Sequence, residues 1–165
     1  MSSKKLKIMC ITGVFAAVIF VFTAYLHFPM HMGYVHIGDG FIYIAACILP
    51  TPYAALAAVV GAALADSLTG FILWAPATIV IKAAAVFMFS SKTEKIICKR
   101  NLLALIPSVV FCIGGYYLYE AILVGNFIAP LSCVHTNIIQ SALSIAVFIV
   151  CSAALDKMKL KQKIL

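Results

Sequence analysis

Long apolar stretches fill most of this chain, and each is ended by proline, glycine or a cluster of charge. The pattern predicts helices over about 8–28, 32–49, 53–68, 73–91, 102–124 and 133–155. Pro29 closes the first, Pro50-Thr51-Pro52 the second, Gly70 the third and Gly125-Asn126 the fifth. Each run approaches the roughly 20 residues that carry a helix across a bilayer. Composition agrees, because 65% of the 165 residues are hydrophobic, only 10% are charged, and the mean hydropathy is +1.13. A soluble core could not hide that much apolar surface, so lipid is the expected solvent. The expectation is an all-α integral membrane protein: a single membrane domain over residues 1–165, with six transmembrane helices and short loops.

Charge then orients the bundle. Most of the net charge of +7 sits in three clusters: Lys4, Lys5 and Lys7; Lys92, Lys95, Lys99 and Arg100; and Lys157, Lys159, Lys161 and Lys163. Beside hydrophobic spans such clusters read as positive-inside topology and attraction to anionic lipid, not as a nucleic-acid surface. An even number of helices puts all three on one side, so both termini are expected in the cytoplasm. The loops after the first, third and fifth helices hold no Lys or Arg and face outward. The basic start followed by an apolar run superficially suits a signal peptide. The run is span-length, however, and no small-x-small cleavage site follows, so an uncleaved first helix is expected. The six cysteines lack CxxC spacing and lie mostly in apolar runs, which predicts neither a disulfide nor a cysteine metal site.

The few polar residues inside the spans fall near the outer side. At about 1.5 Å per residue, Asp39, Asp66 and Glu120 lie near outer helix ends and Asn137 and Gln140 in the first turns of the last helix, with Lys82 alone near the midplane. Ionisable groups in a span cost several kcal/mol unless paired or hydrated, so they mark a candidate site. The structural alternative for one pair is that Asp66 and Lys82 simply neutralise each other. Gly13, Ala16 and Ala17 on the first helix, and Ala57, Gly61 and Ala65 on the third, make small-xxx-small surfaces for close helix approach. Internal packing and a partner surface both remain open for them. His27, His31 and His36, interleaved with Met30 and Met32, approach metal-ligand spacing but fall in a loop, which reads better as a cap on the bundle. No GxxxxGK[ST], HExxH or GxSxG motif is present, which argues against a P-loop ATPase, a zincin or a serine hydrolase.

The segments His36-Ile37-Gly38-Asp39, Ala63-Leu64-Ala65-Asp66 and Ala75-Pro76-Ala77-Thr78-Ile79-Val80-Ile81-Lys82 follow one another in order. Gly115-Tyr116-Tyr117-Leu118-Tyr119-Glu120 and Asn137-Ile138-Ile139-Gln140 come next. The ordered set, spanning about residues 12–153, resembles the riboflavin-type branch of the substrate-binding (S) components of energy-coupling factor (ECF) vitamin transporters. That branch typically shows N-L-G-D, A-L-A-D, A-P-A-T-F-I-I-K, Y-x-x-x-E and N-L-I-Q. His36-Ile37 replaces the usual Asn-Leu, and Val134-His135-Thr136 stands where Pro-Gly often precedes the Asn. These departures bear on substrate more than on fold.

The resemblance implies six helices in a bacterial cell membrane and a water-soluble vitamin or precursor bound near the outer face under the loop after helix 1. It implies no ATPase activity in this chain and no cofactor, with energy coming from a membrane T component and two ABC-type ATPases. Asp39, Lys82, Glu120, Asn137, Gln140, Asp66, His36 and Tyr116 are the expected substrate-binding residues. Gly13, Ala16 and Ala17 are the expected partner surface. A flat polar heterocycle suits such a pocket, with Tyr34, Trp74 and Tyr117 as further aromatic faces. Riboflavin, pyridoxine, a thiamine-precursor pyrimidine and a deazapurine all fit that description. The residues also admit a self-sufficient proton- or cation-coupled transporter with Asp39, Asp66 and Glu120 as relay, and, more distantly, a membrane enzyme or metal-handling protein using the histidine loop.

Overall fold

The computed structural model describes residues 3–30 and 33–164. Helix α1 (Ser3–Ala24) leads into a hairpin of β1 (His27–Met30) and β2 (Gly33–His36). Helices α2 (Gly38–Ile48), α3 (Thr51–Leu68), α4 (Ala75–Met88), α5 (Lys99–Val124), α6 (Leu131–Lys157) and α7 (Leu160–Ile164) follow. The strands pair antiparallel, with His27 opposite His36, Phe28 opposite Val35 and Pro29 opposite Tyr34.

The hairpin corrects two expected boundaries and interrupts an otherwise helical fold. The first helix stops at Ala24 and not near residue 28, and the second begins at Gly38 and not near residue 32. In so apolar a segment a strand and a helix give the same hydropathy signal, and Pro29 is tolerated because a two-stranded ribbon consists only of edges. The six expected spans divide as well. Helices α1, α3, α5 and α6, with 22, 18, 26 and 27 residues, are long and apolar enough to cross a membrane. Helices α2 and α4, with 11 and 14 residues, reach only about 16 and 21 Å at 1.5 Å per residue. The hairpin precedes α2, and the irregular segment 89–98 follows α4.

Helix α2 is the centre of the bundle, and all of its residues except Phe41 are buried. Ile42, Ile44 and Ile48 join Ile19 of α1 and Phe148 of α6 in the main core, where Tyr43 stacks on Phe89 at 4.9 Å between centroids. Close approach depends on glycine. A Cβ at Gly40 would lie 2.7 Å from the Ser144 carbonyl oxygen of α6, and one at Gly61 would lie 2.6 Å from the Ala16 carbonyl oxygen of α1. Ala57, Gly61 and Ala65 are therefore an internal seam against α1, where tight van der Waals packing substitutes for a hydrophobic effect that lipid does not provide.

The three basic segments meet at one end. Asp156 of α6 accepts hydrogen bonds from the Ile96 and Ile97 amides at 2.8 and 2.9 Å. Asn101 binds the Ser90 amide and carbonyl and the Ile96 carbonyl, at 3.0, 3.2 and 3.1 Å. Lys161 of α7 donates to the Thr93 carbonyl at 2.5 Å, and Lys7 of α1 reaches the Lys163 carbonyl at 3.4 Å. At the opposite end the hairpin, the α3–α4 connection and the α5–α6 connection gather. Tyr34 packs on Phe71 at 4.6 Å between centroids, Tyr119 donates to the Leu73 carbonyl at 2.6 Å, and Tyr117 donates to the Phe127 carbonyl at 2.9 Å.

Candidate functional site

A cavity of about 50 Å³ opens at the end away from the basic segments. Its wall is assembled from distant parts of the chain: Tyr34 and His36 of the hairpin, Asp66 of α3, Phe71 and Trp74 of the α3–α4 connection, and Thr78 of α4. Tyr116 and Glu120 of α5 and Cys133, Thr136, Asn137 and Gln140 of α6 complete it. Helical spacing explains the selection. Cys112, Tyr116 and Glu120 recur every fourth residue on the buried face of α5, and Cys133, Asn137 and Gln140 share one face of α6. Residues 34 and 36 of β2 point to the same side because strand side chains alternate.

Beneath the cavity lies a closed polar cluster. Lys82 Nζ sits 2.8 Å from each carboxylate oxygen of Asp39, and both side chains are almost fully buried. Gln140 Nε2 donates to Asp39 Oδ2 at 3.1 Å, and Lys82 Nζ lies 5.1 Å from the centroid of the Tyr116 ring. Each charge thus has its opposite and further polar or π partners, the condition under which a buried pair survives desolvation. Gln140 and Tyr116 touch this cluster and also line the cavity, so they join floor to wall.

The wall is less complete. The Tyr34 hydroxyl donates to Asp66 Oδ1 in a short hydrogen bond, and burial beside Asp66 pushes its pKa upward, which keeps the phenol a donor. Trp74 Nε1 donates to Glu120 Oε1 at 3.2 Å, and the Thr78 and Tyr116 hydroxyls lie 2.9 Å apart. His36, on the hairpin outside the helices, accepts the Gly38 amide at Nδ1 over 3.1 Å, so its proton belongs on Nε2. Burial lowers its pKa to about 4, Lys82 and His27 adding to the effect and Asp39 opposing it. The imidazole is neutral at physiological pH. Asp66 and Glu120 are each only 4% exposed, yet Asp66 Oδ2 and Glu120 Oε2 have no hydrogen-bond partner in the protein. Buried polar atoms are rarely left so, and these two belong to residues of the cavity wall, where a water or a ligand can reach them.

The sequence-predicted residues separate into two groups. Asp66, Glu120, Asn137, Gln140, His36 and Tyr116 line the cavity, whereas Asp39 and Lys82 do not line it and pair behind Gln140 and Tyr116. The neutralising partner considered for Lys82 was Asp66; the structure gives it Asp39, because α2 is central and presents Asp39 to α4, while Asp66 in the last turn of α3 is taken by Tyr34. Of the aromatics, Tyr34 and Trp74 line the cavity, but Tyr117 turns toward the α5–α6 loop. Phe71, Thr78, Cys133 and Thr136 were not singled out from sequence. Helical spacing from Lys82 and Asn137 pointed to Thr78 and Cys133, but nothing marked Phe71. Among the three residues of the expected partner surface, Gly13 and Ala17 are exposed, and Ala16 turns toward Gly61 of α3. Of the loop histidines, His27 hydrogen-bonds the Ala24 carbonyl at 2.6 Å and His36 is in the wall, while His31 lies outside the described residues.

No curated protein matches this chain. A family described as ECF-type riboflavin transporter, S component, matches over residues 3–157. That is nearly the whole chain, including every element of the cavity. The protein therefore belongs to the S-component family, the substrate-binding membrane subunits of ECF vitamin transporters.

Proposed function

We propose that the cavity receives a vitamin-like heterocycle from outside the cell and that the chain delivers it to an ECF complex of a T component and two ABC-type ATPases. The single observation that carries this reading is the incomplete wall, with buried carboxylate oxygens lacking partners in a cavity built from the hairpin and four helices. At about 50 Å³ the cavity holds only a few waters, while ligand pockets run to about 300 Å³ or more. Entry then requires the wall to move. The hairpin is the element suited to it, being held to α3 by Tyr34 through one hydrogen bond and one ring contact with the adjoining turn.

Orientation follows from the basic end, which the positive-inside rule assigns to the cytoplasm together with both termini. Helix α1 turns Gly13 and Ala17 outward, and a Cβ at Gly13 would meet nothing within 4 Å. This flat strip suits close approach by a partner helix of the T component.

Mass spectrometry of small molecules released from the purified protein tests the reading. A single stoichiometric heterocycle that quenches the emission of Trp74, the only tryptophan, is the expected result. Absence of any bound or binding heterocycle sinks it. Cysteine labelling tests orientation separately: outside reagents should reach positions 70 and 126 but not 93 or 161, and labelling at 93 overturns the topology.

A further inference from the structure

The ionisable groups of the cavity wall are acidic. Asp66 and Glu120 contribute two carboxyl groups to its wall, and no Lys or Arg lines it among the described residues. The nearest cation, Lys82, is consumed by Asp39 and covered by the Tyr116 ring. His36 is neutral and offers only a donor. Asp66 accepts from Tyr34 and also bonds Thr78, Glu120 accepts from Trp74 and also bonds Cys133, and each carboxyl group keeps one buried oxygen without a partner. Around these oxygens stand aromatic rings: Tyr34 lies 4.6 Å from Phe71, and Phe71 lies 5.8 Å from Trp74, centroid to centroid. Acceptor oxygens beside π faces form an environment for a cation or an N–H-rich edge, since ring faces and carboxylates both attract positive charge.

We infer that the ligand is a nitrogen-rich heterocycle carrying a positive charge, such as a protonated amine on a flat ring, in place of a neutral flavin. This rests on the cavity being the ligand site. Glu120 and Asp66 receive the ammonium or amino N–H groups, the aromatic rings of Phe71 and Trp74 stack on the ring, and Asn137 supplies an amide to its polar edge.

The test compares two probes of nearly equal shape, a 4-aminopyrimidine bearing an aminomethyl arm and the same ring bearing a hydroxymethyl arm, with riboflavin as a third. Each is titrated against the purified full chain at neutral pH, with Trp74 fluorescence as readout. The aminomethyl compound should bind at least about tenfold tighter than the hydroxymethyl one. Glu120→Gln or Asp66→Asn should weaken the aminomethyl compound more than the hydroxymethyl one and so remove most of that preference. Equal affinities, or tighter binding of riboflavin, overturn the inference and leave the cavity as the ligand site. Binding of none of the three, with no heterocycle released from the purified chain, overturns the proposed function as well. The two failures are thereby distinct, and the wild-type comparison needs no variant to fold.

Discussion

The two ends of the bundle use the same kinds of polar residue and treat them oppositely. At the basic end Asn101 uses its amide oxygen and nitrogen, and both Asp156 oxygens are occupied by backbone amides. At the other end Asp66 and Glu120, more deeply buried than the half-buried Asp156, keep an oxygen unpartnered. A satisfied buried group contributes to stability, while an unsatisfied one lowers it until a partner arrives. Burial alone does not separate the two ends; the hydrogen bonding of their carboxylates does.

Between the ends, the Asp39–Lys82 pair belongs with the satisfied class despite its place under the cavity. Lys82→Met should therefore lower stability by about 3 to 5 kcal/mol, because it strands a buried carboxylate. Thermal unfolding in detergent checks this, and a variant of unchanged stability but lost affinity would move Lys82 into the binding wall.

Asp156→Ala removes two charge-assisted hydrogen bonds at the basic end and should cost about 3 kcal/mol. Ligand affinity of the folded fraction should stay the same. A matching loss of affinity would show that the two ends are coupled.

A smaller effect comes from His36. Its folded pKa of about 4 lies below the unfolded value near 6.5, so between those values the unfolded state binds more protons and stability falls as pH falls. By pH 5 the loss should be about 2 kcal/mol, and His36→Gln should flatten that part of the profile. A pH profile identical in the variant would assign the acid sensitivity to other groups.

The smallest change in the isolated chain is expected for Gly13→Leu, since nothing lies within 4 Å of that site. Unfolding should be unaffected while co-purification with the T component weakens. Gly61→Leu, which collides with the Ala16 carbonyl and Ile19, should instead destabilise the chain itself. Equal behaviour of the two variants would erase the distinction between the outer strip and the inner seam.

Hydropathy and charge alone determined that the chain is apolar and helical, where its basic segments fall, and which polar residues are candidates. Those features are read from local runs, because helix length and side-chain transfer energy depend on neighbours in sequence. The family resemblance rested on five short segments, and the polar residues quoted in them, Tyr117 and Tyr119 apart, lie in the cavity or directly behind it. Tertiary structure decided three things that no local run encodes. It replaced the expected end of helix 1 and start of helix 2 with a hairpin, since strand pairing between residues 27 and 36 is a contact between segments whose apolarity is equally compatible with helix. It paired Lys82 with Asp39 and left Asp66 to Tyr34, a choice set by the central position of α2. It also turned Ala16 inward and Ala17 outward, because at about 3.6 residues per turn adjacent residues point to different faces.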